Sequence, residues 1–140
     1  MYIFDGAMGT MLQAAGLEEG YCPELFNVEK PEVVKNIHAQ YLQHGSDVIT
    51  TNTFGACGLK LEDYDLQDRV REINIAAVKV AKDAIAEFKP SARVAGSMGP
   101  TGRFLQPLGN MSFDSIYDTY REQAEALIEG GVDFIIIETI

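Results

Sequence analysis

The sequence predicts an α/β fold built on a parallel sheet, and three observations carry that prediction. One is the stretch Gly130-Gly131-Val132-Asp133-Phe134-Ile135-Ile136-Ile137-Glu138-Thr139. A Gly pair ends a helical pattern and a short run of β-branched residues follows, which reads as a helix C-cap and a strand buried on both faces. The second is its repetition at His44-Gly45-Ser46-Asp47-Val48-Ile49-Thr50-Thr51-Asn52-Thr53-Phe54, with helix end, Gly, x, Asp, apolar strand and polar residues in the same order. The third is the alternation of such strands with helical spacing along the chain, which implies right-handed βαβ units.

The elements follow in order. Tyr2-Ile3-Phe4 reads as a very short buried strand, and Asp5-Gly6-Ala7-Met8-Gly9-Thr10 as a turn whose backbone approaches something closely or takes positive φ. Residues 11–30 read as irregular. Pro31 then opens a helix at a first-turn position, with Glu32 near the positive end of the dipole and Val34, Ile37, Tyr41 and Leu42 on one face. Gly45 closes it, and a strand over 47–51 comes next. Leu66, Val70, Ile73, Ala77, Val80, Ala84 and Phe88 keep helical spacing up to Pro90, as one long amphipathic helix. Arg93-Val94-Ala95 is a third strand, emptying into Gly96-Ser97-Met98-Gly99-Pro100-Thr101-Gly102. Ser112 suits an N-cap, and Ile116, Tyr120, Ala124, Leu127 and Ile128 carry a third helix to Gly130.

The result is four parallel strands with three intervening helices. A dinucleotide site needs its glycines to lead straight into a helix N-terminus, and a phosphate loop needs a GK[ST] ending. Neither pattern occurs here, because about ten irregular residues separate the glycines after residue 95 from the next helix. Long loops after strands that end in polar or Gly-rich residues suit a (β/α)8 TIM barrel with its site at the C-terminal face. A full barrel needs about 250 residues. Residues 1–140 are therefore expected to be the N-terminal half of such a barrel, one truncated domain without linker, low-complexity tract or charge block.

A net charge of -10, with 11 Lys and Arg against 21 Asp and Glu, argues against nucleic-acid and anionic-membrane surfaces, which need clustered cations. No apolar run approaches the roughly 20 residues of a membrane span, and no basic segment leads into one. The chain reads as cytoplasmic, with a small molecule as partner. Cys22 and Cys57 lie far apart without metal-ligand spacing and read as reduced thiols.

Glu138 is the first candidate for a site. A carboxylate ending an Ile-Ile-Ile strand is costly inside a core, so it should emerge at the strand's C-terminal end, where such sheets place ligands. Asp5 is the second, although an Asp-Gly pair also suits a plain turn. Pro100 to Gly102 read as a loop that turns the chain. His44 reads as a cation at a helix C-terminus, and neither it nor His38 has a second ligand at metal spacing. The charges over 62–72, interleaved with Lys60, Arg69 and Arg71, read as a solvated face, and Tyr117 and Tyr120 as helix-packing residues.

Taken together, Asp5-Gly6-Ala7-Met8-Gly9-Thr10, Thr51-Asn52-Thr53-Phe54-Gly55, Gly96-Ser97-Met98-Gly99-Pro100-Thr101-Gly102 and Ile137-Glu138-Thr139 resemble the homocysteine S-methyltransferase family, over essentially the whole chain. The resemblance is greatest to the N-terminal homocysteine-binding module of its cobalamin-dependent, methionine-forming branch. It implies a (β/α)8 barrel that binds L-homocysteine and methylates its zinc-activated thiol. In that branch the donor is methylcobalamin, recharged from methyltetrahydrofolate by downstream folate- and cobalamin-binding modules. The family's matching carboxylates make Asp5 and Glu138 the partners of the substrate ammonium, through charge-assisted hydrogen bonds. The N–H groups of Gly6, Ala7 and Met8 are placed to receive its carboxylate, and Asn52 and Ser97 to orient the ligand or the groups around it.

An unperturbed thiol ionises near pH 8.5, and zinc removes that limit by holding the sulfur as thiolate. The family's zinc ligands are three cysteines of later strands, expected beyond Ile140; Cys22 and Cys57 do not match them, so no residue here is assigned to metal or to catalysis. The chain is thus expected to be the first half of an enzyme, inactive alone. A stand-alone methyltransferase using betaine or S-methylmethionine is the alternative within the family. Outside it, the alternative is a non-catalytic α/β ligand-binding or self-assembling domain. As a half barrel, with the edge of its fourth strand open, the chain is expected to self-associate or to be solubilised by a partner.

Overall fold

A computed structural model describes all of residues 1–140. The helices are α1 (Gly9–Ala14), α2 (Phe26–Glu29), α3 (Pro31–Gln43), α4 (Gly58–Leu61), α5 (Val70–Phe88) and α6 (Phe113–Gly130), and the strands are β1 (Val48–Thr50), β2 (Arg93–Met98) and β3 (Phe134–Ile137). The sheet is parallel, in the order β1-β2-β3, with Thr50 opposite Ala95 and Ser97 opposite Ile136. No helix is long and apolar enough to cross a membrane.

Three strands form where four were expected. The segment Tyr2-Ile3-Phe4 reaches β1 only through a parallel bridge between Phe4 and Val48. Asp47 and Val48 donate backbone N–H groups to Ile3 O, and Asp5 donates one to Val48 O, after which the chain turns away. The segment lies outermost, has a neighbour on one side alone, and leaves Tyr2, Ile3 and Phe4 exposed. β3 is likewise not buried on both faces: Ile137 is 69% exposed and Phe134 is 36% exposed. Its β2 side is paired, but in this chain no element lies beyond its other edge.

Much of the local reading holds. Pro31 stands in the first turn of α3, Ser112 caps α6 by accepting the Ser115 N–H at 3.1 Å, and Gly131 ends α6 at φ 93°. The repeated Gly-x-Asp has a reason that becomes visible only in the sheet. Asp47 Oδ2 accepts the N–H of Ile3 at 3.0 Å, and Asp133 Oδ2 accepts the N–H of Val94 at 2.8 Å. Each Asp therefore closes the start of the neighbouring strand, where an N–H would otherwise lack a partner.

Several boundaries move for packing reasons. β2 runs on through Gly96, Ser97 and Met98, which were expected in the loop. A Cβ on Gly96 would meet Leu127 at 3.1 Å and Val132 at 3.3 Å, so the strand passes directly beneath α6 and the missing side chain lets the two come together. Residues 11–30 are not irregular throughout. They carry the end of α1, a 3-10 turn over Pro23–Leu25, and α2, whose short turns are held by burying Leu12 and Phe26. α5 starts at Val70 rather than Leu66, after a 3-10 turn at Gln67–Arg69.

On α6 the inward face is Thr119, Gln123, Ala126 and Leu127, while Ile128 is exposed. Tyr120 packs as expected and donates its hydroxyl to Gly99 O at 3.0 Å, but Tyr117 is exposed and stacks on Phe113 instead. The charges around residue 62 form surface ion pairs, Lys60–Asp63, Arg69–Glu72, Arg103–Asp63 and Arg71–Glu129. Exposed pairs of this kind contribute little to stability.

Candidate functional site

The three strands and the Phe4 bridge all end on one rim, and a cleft of about 500 Å³ opens there. All seven residues singled out in the sequence line it: Asp5, Gly6, Ala7, Met8, Asn52, Ser97 and Glu138. They come from four separate chain segments, gathered because parallel strands deliver every following loop to the same end of the sheet.

Asp5 is clamped to the end of β1. Its Oδ2 accepts the backbone N–H of Thr50 at 2.8 Å and its Oδ1 accepts the Thr50 hydroxyl at 2.8 Å. Burial pushes its carboxyl above the ordinary range, the two Thr50 hydrogen bonds pull it back, and the charge of Glu138 adds to the rise. Across the cleft, Glu138 Oε1 accepts the hydroxyl of buried Ser97. None of the ion pairs of the fold involves Asp5 or Glu138. The cleft is therefore negative, with no protein cation to balance it.

Gly6 does not take positive φ. Its missing side chain admits Tyr41 instead, whose hydroxyl would lie 3.0 Å from an added Cβ and donates to Ala7 O at 2.7 Å. The N–H groups of Gly6 and Ala7 have no acceptor within the protein and border the cleft. Asn52 is occupied: its Nδ2 donates to Pro23 O at 2.9 Å and to Asn27 Oδ1 at 3.2 Å, and its own carbonyl accepts from Asn27 Nδ2 at 2.7 Å. It shapes the wall of the cleft.

Sequence reasoning missed Thr50, Glu24, Tyr41, Thr51 and Thr53. Glu24 is a buried carboxylate in the cleft wall, with Oε1 accepting the Gly55 N–H at 2.7 Å and Oε2 accepting the Cys22 thiol at 3.4 Å. It sits in a segment without periodicity, so no spacing marks it. Thr50, Thr51 and Thr53 stand in a run of hydroxyl residues after an apolar strand, a signal that was present but gave no partners.

The thiols do not fit a zinc site. Both are buried and free, burial pushes Cys57 up, and burial with the Glu24 charge pushes Cys22 up to about 12. A zinc ligand needs the thiolate, which this environment disfavours. Nor do any three His, Cys, Asp or Glu side chains gather to hold an ion. His44 bonds the carbonyl of Gln40 through Nδ1 at 2.7 Å, closing α3, and His38 is sealed in the core with neither ring nitrogen paired.

The profile of the homocysteine S-methyltransferase family matches residues 2–140. Methionine synthase of Mycobacterium tuberculosis is 41% identical over 145 residues, and that of Mycobacterium leprae is 37% identical over 145. Each alignment takes in 96% of this chain and 12% of the relative, so the chain spans about an eighth of those proteins. Among solved structures, the metallated form of the homocysteine methyltransferase MmuM from Escherichia coli superposes with a TM-score of 0.81 at 26% identity, over 99% of this chain and 54% of that one. Its oxidised form gives 0.79 at 26% identity, over 96% and 51%.

Proposed function

We propose, from the premise that this chain belongs to the homocysteine S-methyltransferase family, that it forms the amino-acid-recognition half of a homocysteine-methylating enzyme of the methionine synthase type. The observation that carries this reading is the pair of carboxylates, Asp5 and Glu138, set in one cleft without a protein cation. Such a cleft suits a ligand that brings an ammonium of its own. The unpaired N–H groups of Gly6 and Ala7, with Met8 beside them, suit the carboxylate at the other end of the same amino acid. Asn52 and Ser97 act through their neighbours, as wall and as the support of Glu138.

Bound zinc would supply thiolate formation on homocysteine, and its ligands belong to the remainder of the barrel, since Cys22 and Cys57 do not serve. Residues 1–140 are on this reading one half-domain, inactive alone. Methylcobalamin, recharged from methyltetrahydrofolate on other modules, is the donor favoured by the relatives named methionine synthase; a cytoplasmic setting belongs to the same proposal.

The test is calorimetric titration of L-homocysteine into the full-length protein and its Glu138→Gln variant. Loss of one charged hydrogen bond should weaken binding by about 1.5 to 3 kcal/mol. Unchanged affinity removes Glu138 from the site and the reading with it.

A further inference from the structure

Between β1 and β2 the backbone ladder stops early. The last bond of the ladder is from Thr51 N–H to Ala95 O at 2.9 Å, and beyond it the chain after β1 bends away while β2 continues to Met98. In a parallel strand the N–H and C=O of one residue point to the same side, so Ser97 would be left with both groups facing a neighbour that has gone. Two hydroxyls replace it, with Gln123 Nε2 a third and longer donor to Ser97 O at 3.4 Å. The Ser97 N–H donates to Thr51 Oγ1 at 3.1 Å, and the Thr53 hydroxyl donates to Ser97 O at 2.7 Å.

The two hydroxyls also lie 2.6 Å apart, and their proton order follows by counting. Thr53 gives its one proton to the Ser97 carbonyl, which can only accept. Thr51 must then donate to Thr53, and it uses its own lone pair for the Ser97 N–H. The result is a closed ring in which each hydroxyl donates once and accepts once. Thr53 is wholly buried, Thr51 and Ser97 nearly so, and the Thr53 carbonyl is pinned from behind by Nε2 of buried Gln123 at 2.8 Å.

The geometry points to Thr51 and Thr53 as positioning residues for the substrate site: by fixing both backbone groups of Ser97, they aim its hydroxyl at Glu138. This rests on the reading in which Glu138 receives the homocysteine ammonium. Ser97 holds the Glu138 carboxylate through its hydroxyl, and the ring holds Ser97. The ring touches no substrate, and it makes Glu138 preorganised rather than merely present.

Valine matches threonine in shape and lacks the hydroxyl, so Thr53→Val opens the ring with little loss of packing, and Thr51→Val opens it at its other member. The full-length protein and these variants are titrated with L-homocysteine, alone and combined with Ser97→Ala. Either valine variant should weaken binding about three- to tenfold, the range of one hydrogen bond. Neither should weaken it further once Ser97 is alanine, because the path to Glu138 is already cut. Thr53→Ser, which keeps the hydroxyl, should bind like the wild type.

A merely structural role would give additive losses with Ser97→Ala, and additivity overturns the inference, as does a valine variant that binds normally. Glu138→Gln, titrated alongside, separates the two layers. If it weakens binding and the valine variants do not, only the ring's role falls. If it binds normally, the functional reading falls and takes the ring's role with it.

Discussion

His38 gives the protein a pH dependence of stability that can be worked out from its surroundings. It lies on α3 with no solvent exposure, and neither ring nitrogen has a hydrogen-bond partner. Burial lowers its pKa from 6.5 to about 4, so the folded protein holds it neutral while the unfolded chain protonates it below pH 6.5. Because the folded value is the depressed one, the stability linked to neutral His38 is complete above pH 6.5. It is lost as the pH falls from 6.5 toward 4. The difference between 6.5 and about 4, at about 1.36 kcal/mol per pH unit, amounts to about 3 kcal/mol in full, of which about 2 kcal/mol is gone by pH 5.

Asp47, Asp63 and Glu72 are lowered by their Lys and Arg partners and Asp5 and Glu122 are raised by burial, and since a His38 variant shares all five, comparing it with wild type isolates the histidine. Urea unfolding at pH 7.5 and at pH 5.0, on wild type and His38→Leu, reads the effect. Wild type should lose about 2 kcal/mol more than the leucine variant between the two conditions. Equal losses in the two proteins would show that His38 is hydrated or paired in solution rather than sealed in the core.

Other expectations concern packing, the thiols and the open edge. Gly96→Ala places a methyl group 3.1 Å from Leu127 and should cost about 1 to 3 kcal/mol in a denaturation experiment, as overpacking does; a neutral result would mean that α6 can lift from β2 freely. Cys22 and Cys57 should react with a thiol reagent at pH 8 far more slowly in the native protein than in urea, and rapid native labelling would contradict their burial and raised pKa values. The 140-residue chain should self-associate in sedimentation experiments, since β3 leaves an unpaired edge with Ile137 and Ile140 exposed. A monodisperse monomer at high concentration would refute that.

The positions of the candidate site were legible before any coordinates because they depend on local signals and on chain direction. Gly45 and Gly131 mark where helices stop, and the apolar runs after them mark where strands start. A residue that follows a parallel strand then falls on one rim of the sheet whatever the rest of the fold does. Asp5, Asn52, Ser97 and Glu138 could be placed together on that ground alone, and the family resemblance gave them roles.

The tertiary structure alone decided which groups hold those residues. That Asp5 is clamped by Thr50, that Asn52 is occupied with Pro23 and Asn27, and that Tyr41 fills the space above Gly6 all depend on partners far away in the chain. The strand count and the burial of β3 were likewise outside the reach of the sequence pattern. A run of apolar residues shows that a segment can be buried, and only its neighbours determine whether it is. The ring of Thr51, Thr53 and Ser97 is the plainest case: it exists because the backbone ladder ends at Ala95, and an unpaired N–H and C=O inside a fold must find partners in whatever side chains the neighbouring loop brings.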